Sequence, residues 1–185
     1  MSKKEIDGFC PANKTEWRKW LETNHKIKDS VWLIFLKKGS PNPNLTWNEA
    51  VDEALCFGWI DSVKRSMDSE KYMQYFSKRK KESTWSKINK KKIEVLEKNG
   101  LMTDAGLRTI ETAKQNGFWT ILDEVEDLKV PDDLAMELDK RKNSRVYFES
   151  LSKSEKKRLL LWIILAKRPE TRRKRIIELV DNANN

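Results

Sequence analysis

Trp59-Ile60-Asp61-Ser62-Val63-Lys64-Arg65, then Met67-Asp68-Ser69-Glu70, then Lys71-Tyr72-Met73-Gln74-Tyr75-Phe76 is the stretch whose reading decides the fold. Side chains alternate with a period of two on both sides of a four-residue turn, which predicts an antiparallel hairpin. Counted by twos, Trp59, Asp61, Val63 and Arg65 share one face, and Ile60, Ser62 and Lys64 share the other. Upstream, the apolar run Val31-Trp32-Leu33-Ile34-Phe35-Leu36 lies between Asp29-Ser30 and Lys37-Lys38-Gly39. It reads as a central strand covered on both faces, bringing the sheet to about three strands. Ser40-Pro41-Asn42-Pro43-Asn44 reads as a loop.

Outward from the hairpin the period becomes helical. Asn13 with Glu16, Thr46 with Glu49, and Ser152 with Glu155 are spaced as capping boxes. The first opens a helix with Trp17, Trp20, Leu21 and Asn24 on one face, and the second a helix, ending at Gly58, with Trp47, Val51, Ala54 and Leu55 inward. Further helices are expected from Ser86 to Asn99, stopping at Gly100, and from Thr103 to Gly117. Asp123 to Asp127 reads as a connector. Pro131 opens a helix to about Lys140, a short one covers Ser144 to Leu151, and Leu159 to Ile164 is apolar almost all round. Pro169 opens the last helix, with Ile176, Ile177 and Val180 inward. The fold class is α+β: an N-terminal lobe over 1–118 with a small, mainly antiparallel sheet and helices, and an all-helical lobe over 119–185.

Composition narrows the function classes. The 185 residues carry a net charge of +9 with 36% charged residues, yet hold eight tryptophans, too many for a disordered polyelectrolyte. No apolar run approaches the roughly 20 residues that cross a bilayer. No apolar segment follows Lys3-Lys4, so a secretory signal is not expected, and Cys10 and Cys56 share no motif spacing. A cytoplasmic location is the expectation. Residues 64–92 hold eleven Lys/Arg against three acids, and residues 153–175 ten against Glu155 and Glu170. Residues 120–140 are acidic. Such polarity suits an anionic partner or the docking of oppositely charged lobes.

Several segments follow one another at characteristic intervals: Trp17-Arg18-Lys19-Trp20-Leu21, Val31-Trp32-Leu33, Glu53-Ala54-Leu55-Cys56-Phe57-Gly58-Trp59-Ile60-Asp61 and Trp85-Ser86-Lys87-Ile88-Asn89. Met102-Thr103-Asp104-Ala105-Gly106-Leu107 and Ala166-Lys167-Arg168-Pro169-Glu170-Thr171-Arg172 continue the series. Together they resemble the YdeI/OmpD-associated family, the bacteriocin-protection proteins. The resemblance implies a role in stress tolerance and in resistance to bacteriocins or cationic antimicrobial peptides, and it attaches no reaction. Where that family often has Thr-Pro-Arg-Arg after the hairpin, this chain has Ser77-Lys78-Arg79-Lys80, without the proline.

Residue chemistry offers few catalytic candidates. His25, the single histidine, sits at a helix end where a cation meets the helix dipole. No nucleophile elbow, dinucleotide fingerprint or phosphate loop occurs, and no cofactor or metal set is expected. Asp61 is the most suggestive residue. With Arg65 or Arg79 it could form a structural ion pair. Alternatively Trp32, Trp59, Asp61, Arg65 and Arg79, closed by Trp85 and Asn89, could line a small-ligand pocket. Lys78, Arg79, Lys80 and Lys81, with Arg172, Arg173 and Arg175, are the candidates for polyanion binding, although successive charges on a helix point in different directions. The leading expectation is a non-enzymatic stress-response or antimicrobial-resistance protein that binds a small ligand or protein partner. The alternatives are a nucleic-acid or polyanion binder acting through 64–92 and 153–175, and a small-molecule enzyme centred on Asp61.

Overall fold

The computed structural model describes residues 8–37, 39–40, 43–141 and 143–182. The N-terminal segment read for a signal lies outside these residues up to position 7, as do Pro41 and Asn42 of the expected loop. The fold is α+β, with the sheet in the N-terminal part and helices alone in the C-terminal part. Two compact units are present. The first extends to Ser83 and includes Lys87–Asn116; the second comprises Thr84–Ser86 and the chain from Gly117 onward.

In the first unit the element order is β1 (Gly8–Phe9), α1 (Lys14–Asn24), β2 (Ser30–Leu36), α2 (Trp47–Cys56), β3 (Trp59–Ser66), β4 (Lys71–Lys78), α3 (Lys87–Lys98) and α4 (Asp104–Gln115). The sheet order is β1-β2-β4-β3. The hairpin and its antiparallel pairing with β2 are as expected, and β1 adds a parallel fourth strand too short to leave a periodic signal. Val31, Leu33 and Phe35 of β2 are buried, whereas Trp32, Ile34 and Leu36 are only half-buried. The central strand is therefore dry on one face and partly covered on the other. Trp17, Leu21, Ala50, Val51, Ala54 and Leu55 supply the helical side of this core.

The caps form where the spacing places them. Asn13 accepts from the Glu16 amide at 3.0 Å, and Thr46 and Glu49 complete a reciprocal box. Trp47 departs from its inward reading. As the first residue of α2 it is 43% exposed, and its indole reaches toward the sheet. Glu53 is the buried carboxylate of this unit, bonded by Arg18 at 2.7 Å and Lys14 at 3.2 Å, which meets the requirement that a buried charge be paired.

The two cysteines differ in exposure, although burial pushes both thiols up, Cys56 much further. Cys10 is exposed and Cys56 buried. Burial, reinforced by the negative charge of Glu53, pushes the Cys56 thiol up to about 11. Because the thiolate is the reactive form, the folded chain is expected to take up one equivalent of a maleimide rapidly at pH 7.5, at Cys10. A second equivalent should enter only on denaturation. Rapid labelling of both thiols in the folded chain would contradict this environment.

The second unit contains α5 (Asp123–Glu126), α6 (Asp132–Lys140), α7 (Ser144–Ser150), α8 (Lys153–Ile164) and α9 (Pro169–Asp181). The acidic connector thus includes one helical turn. Leu134, Leu138, Phe148, Leu160, Ile163, Ile176, Leu179 and Val180 form the core, with Trp162 and Ile164 packed at its edge. Only Leu160 and Ile163 of α8 are fully buried, so its apolar girth exceeds what the small unit encloses. Trp162 is half-buried beneath the Arg175 guanidinium, 5.1 Å from the ring centre.

Ion pairs ring this core. Arg172 forks onto Asp133 at 2.6 and 2.8 Å, Arg145 bonds Asp139, Lys140 bonds Glu137 and Arg158 bonds Glu155. Each partner holds its carboxyl below the ordinary carboxylate range. The stabilisation is therefore complete above the unfolded values, about pH 4, and is lost as pH falls through the lower folded values. Thermal unfolding of the whole chain should be nearly pH-independent from 7 to about 5 and fall below that, less steeply in Arg172→Ala. An acid slope unchanged in that variant would contradict the assignment.

Candidate functional site

The residues singled out by sequence are sorted by a β-bulge. Asp61 pairs with Phe76 and Lys64 with Gln74, so Ser62 and Val63 together oppose the single residue Tyr75. The extra residue reverses the alternation beyond it. Asp61 stays on the face of Phe76 and Gln74, while Arg65, opposite Met73, moves to the face that carries Trp32 and Tyr75. There the Arg65 guanidinium lies 4.8 Å from the Trp32 ring centre, and Trp32 meets Tyr75 at 5.1 Å. Asp61 and Arg65 consequently do not converge on one pocket.

Asp61 is held by two donors, the Trp47 indole at 2.9 Å and the Gln74 amide at 3.0 Å. Gln74 also donates to the Ser62 carbonyl at 2.9 Å, so the same side chain staples the bulge. A carboxylate spent as a double acceptor in this way is a positioning element, tying α2 to the hairpin. Trp85 belongs to the second unit, where it packs on Trp119 at 5.1 Å, and Asn89 is half-buried on α3.

Of the polyanion candidates, Lys80 and Lys81 are exposed, and Lys78 donates to the Asp29 carboxylate and the Lys26 carbonyl, both at 3.0 Å. In the C-terminal run, Arg172 is committed to Asp133, and Arg175 covers Trp162 and donates to its carbonyl. Arg173 is left exposed on α9. Much of the positive charge over 153–175 is thus spent on neighbouring groups.

The first unit contains a cleft that the sequence reading did not assemble. It has a volume of about 310 Å³ and is lined by His25, Lys26, Phe57, Gly58, Trp59, Lys78, Arg79, Ala105, Arg108, Thr109 and Thr112. Four segments converge on it: the end of α1, the turn from α2 into β3, the end of β4, and one face of α4, whose residues 105, 108, 109 and 112 recur at helical spacing. Trp59 and Arg79 are the two sequence-selected pocket residues that reach it.

Two glycines allow α4 to lie this close. Gly58 has φ +74°, and a Cβ there would stand 2.4 Å from Thr109 Oγ1. A Cβ on Gly106 would stand 2.3 Å from the Cys56 carbonyl oxygen. That same carbonyl accepts from the Thr103 amide at 3.1 Å and from its hydroxyl at 2.7 Å. The α4 cap therefore satisfies an orphan carbonyl at the end of α2, and the cleft wall is fixed by hydrogen bonds as well as by contact.

The lining is cationic. Lys26, Lys78, Arg79 and Arg108 contribute, and no carboxylate stands among the lining residues. His25 rests against Phe57 with ring centres 5.1 Å apart, and its Nδ1 lies 2.8 Å from the Leu21 carbonyl. That contact requires the proton on Nδ1. Burial draws the Arg79 guanidinium down to about 10, opposed by the attraction of Asp61, so Arg79 remains charged at neutral pH. Trp59 is fully buried, and its indole N–H meets no acceptor among the described residues.

Comparison with known proteins bears on both parts of the chain. Residues 9–109, more than half of the sequence, match the family described as Domain of unknown function (DUF8412). The chain belongs to this family. Residues 127–185 match a second family, Bacteriocin-protection, YdeI or OmpD-Associated; of the segments that carry the resemblance, only Ala166-Lys167-Arg168-Pro169-Glu170-Thr171-Arg172 lies within this match. The DUF8412 region contains the sheet apart from Gly8 and every residue of the cleft except Thr112, while the bacteriocin-protection match covers most of the second unit. No curated protein and no solved structure matches the chain. Among the described residues no helix is long and apolar enough to cross a membrane, and no group of three or more His, Cys, Asp or Glu is arranged to hold a metal ion.

Proposed function

We propose that this DUF8412 protein is a non-enzymatic, cytoplasmic stress-response protein that contributes to bacteriocin or antimicrobial-peptide resistance, and that it acts by binding an anionic ligand in the cleft between the end of α1 and α4. The observation that carries the binding role is the convergence of Lys26, Lys78, Arg79 and Arg108 on one cavity without a lining carboxylate. The protective role is supported by the match of residues 127–185 to the bacteriocin-protection family. Direct capture of a cationic peptide by a cationic cleft is disfavoured by repulsion, so protection acts through the anionic ligand.

The engagement of Asp61 by Trp47 and Gln74 supports a structural rather than catalytic role for that carboxylate. Cells expressing the wild-type chain should survive a bacteriocin challenge better than cells carrying an equal amount of Arg108→Glu. Equal survival would remove the cleft from the protective mechanism.

Binding of nucleic acid is the second reading, favoured by the exposed Lys64, Arg65, Lys80 and Lys81 around the hairpin. Retention of single-stranded DNA at low salt, falling steeply as salt rises and lost in Lys80→Ala/Lys81→Ala, is its expected signature. No retention at low salt would remove it.

A further inference from the structure

We infer that the ligand of the cationic cleft is a compact molecule bearing a phosphate dianion: inorganic phosphate or a small phosphate monoester. This deepens the reading of the cleft as a ligand site and rests on it. Of the four cationic side chains, Lys78 is already met by Asp29, and Arg79 is attracted by Asp61. Lys26 and Arg108 are exposed and face the cavity with no acid beside them in the lining. Two or more uncompensated charges exceed what a single carboxylate neutralises, whereas a phosphate monoester carries roughly −1.5 to −2 near neutral pH.

Geometry agrees with charge. Arginine presents a planar fork of N–H donors that suits phosphate oxygens, and lysine supplies a point charge. Arg79 and Arg108 come from different elements, the end of β4 and α4, so they approach a tetrahedral group from separate directions. A volume of about 310 Å³ lies at the small end of ligand pockets, roughly 300–1,000 Å³, and excludes all but a short stretch of a polymeric anion. A phosphodiester brings one charge per phosphate and fits less well on charge.

The test is calorimetric titration of the full chain, at fixed ionic strength, with inorganic phosphate, glycerol phosphate, acetate, dimethyl phosphate and a short single-stranded oligonucleotide. Saturable one-to-one binding of phosphate, glycerol phosphate or both is expected, and which of these two binds tighter identifies the source of the group. Acetate and dimethyl phosphate should bind at least about tenfold more weakly, and Arg108→Glu should weaken phosphate by about tenfold or more. Lys26→Ala, an exposed position, gives a second variant whose fold is not at stake and should also weaken it.

Absence of saturable binding by both phosphate and glycerol phosphate overturns the inference, as does binding untouched by both variants or an oligonucleotide bound as tightly as the monoester. The two claims fail separately. Binding of neither phosphate nor glycerol phosphate, together with lost protection in Arg108→Glu, removes the ligand class and keeps the cleft as the functional site. Phosphate binding at the cleft together with full protection in Arg108→Glu keeps the ligand class and removes the cleft from protection.

Discussion

Trp17→Ala is expected to lower the unfolding free energy of the protein by about 3–5 kcal/mol, the range for emptying a large buried aromatic site. Trp17 is fully buried between α1 and the sheet, contacting Phe9, Trp20 and Phe76 with ring centres 6.3, 5.2 and 5.5 Å away. Its indole N–H donates to the Ala50 carbonyl at 3.1 Å, which pins α1 to α2. The substitution therefore removes apolar contacts and a buried hydrogen bond together. Trp47, 43% exposed, is the internal contrast: Trp47→Ala loses one hydrogen bond to Asp61 and should cost about 1 kcal/mol. Urea unfolding of both variants checks the ranking. Equal losses would contradict the placement of these two tryptophans.

Gly106→Ala carries the second large effect, about 3 kcal/mol, the upper end of what overpacking costs. The new methyl would meet two backbone atoms, the Cys56 carbonyl oxygen at 2.3 Å and its carbon at 2.8 Å. Backbone held by the Thr103 cap cannot rotate away as a flexible side chain would. Gly100→Ala is the control, because Gly100 has φ +66° and open space around it, leaving only left-handed strain of about 1–2 kcal/mol. If Gly106→Ala unfolds no more easily than Gly100→Ala, α4 does not lie against the end of α2 as described. The same variant should weaken ligand binding, since α4 supplies one wall of the cleft.

The hairpin, the central strand and the helix caps were legible because each leaves a local periodic mark. Alternation from Trp59 onward and from Lys71 to Phe76 could hardly be helical, and the polar pairs Asn13/Glu16 and Thr46/Glu49 mark helix starts. The bulge at Ser62-Val63 leaves no mark: one inserted residue alters register without altering composition. Counting by twos through it placed Arg65 beside Asp61, on the wrong face. β1, two residues long, falls below any periodicity, and the one-turn helix at Asp123 is hidden by its acidic composition.

The cleft was illegible for a different reason. Its residues come from positions 25–26, 57–59, 78–79 and 105–112, which only the tertiary arrangement joins. The available signal lay in small residues. Gly58, directly after a capping-box helix, and Gly106, inside the first turn of α4, together point to close backbone approach. Ala105, Arg108, Thr109 and Thr112 then mark the helical face that borders it. Trp59 was selected from sequence for its place beside Asp61; its role in the structure comes instead from the end of the strand where the cleft opens.

The indole N–H resonances of the eight tryptophans, followed by NMR as inorganic phosphate, and separately glycerol phosphate, is added at constant ionic strength, test the anion cleft most directly. The account requires the Trp59 signal to shift progressively and saturate with at least one of the two, while the Trp17 signal, already bonded to the Ala50 carbonyl, stays in place. A Trp59 signal that moves with neither, or all eight drifting together without saturation, would contradict it.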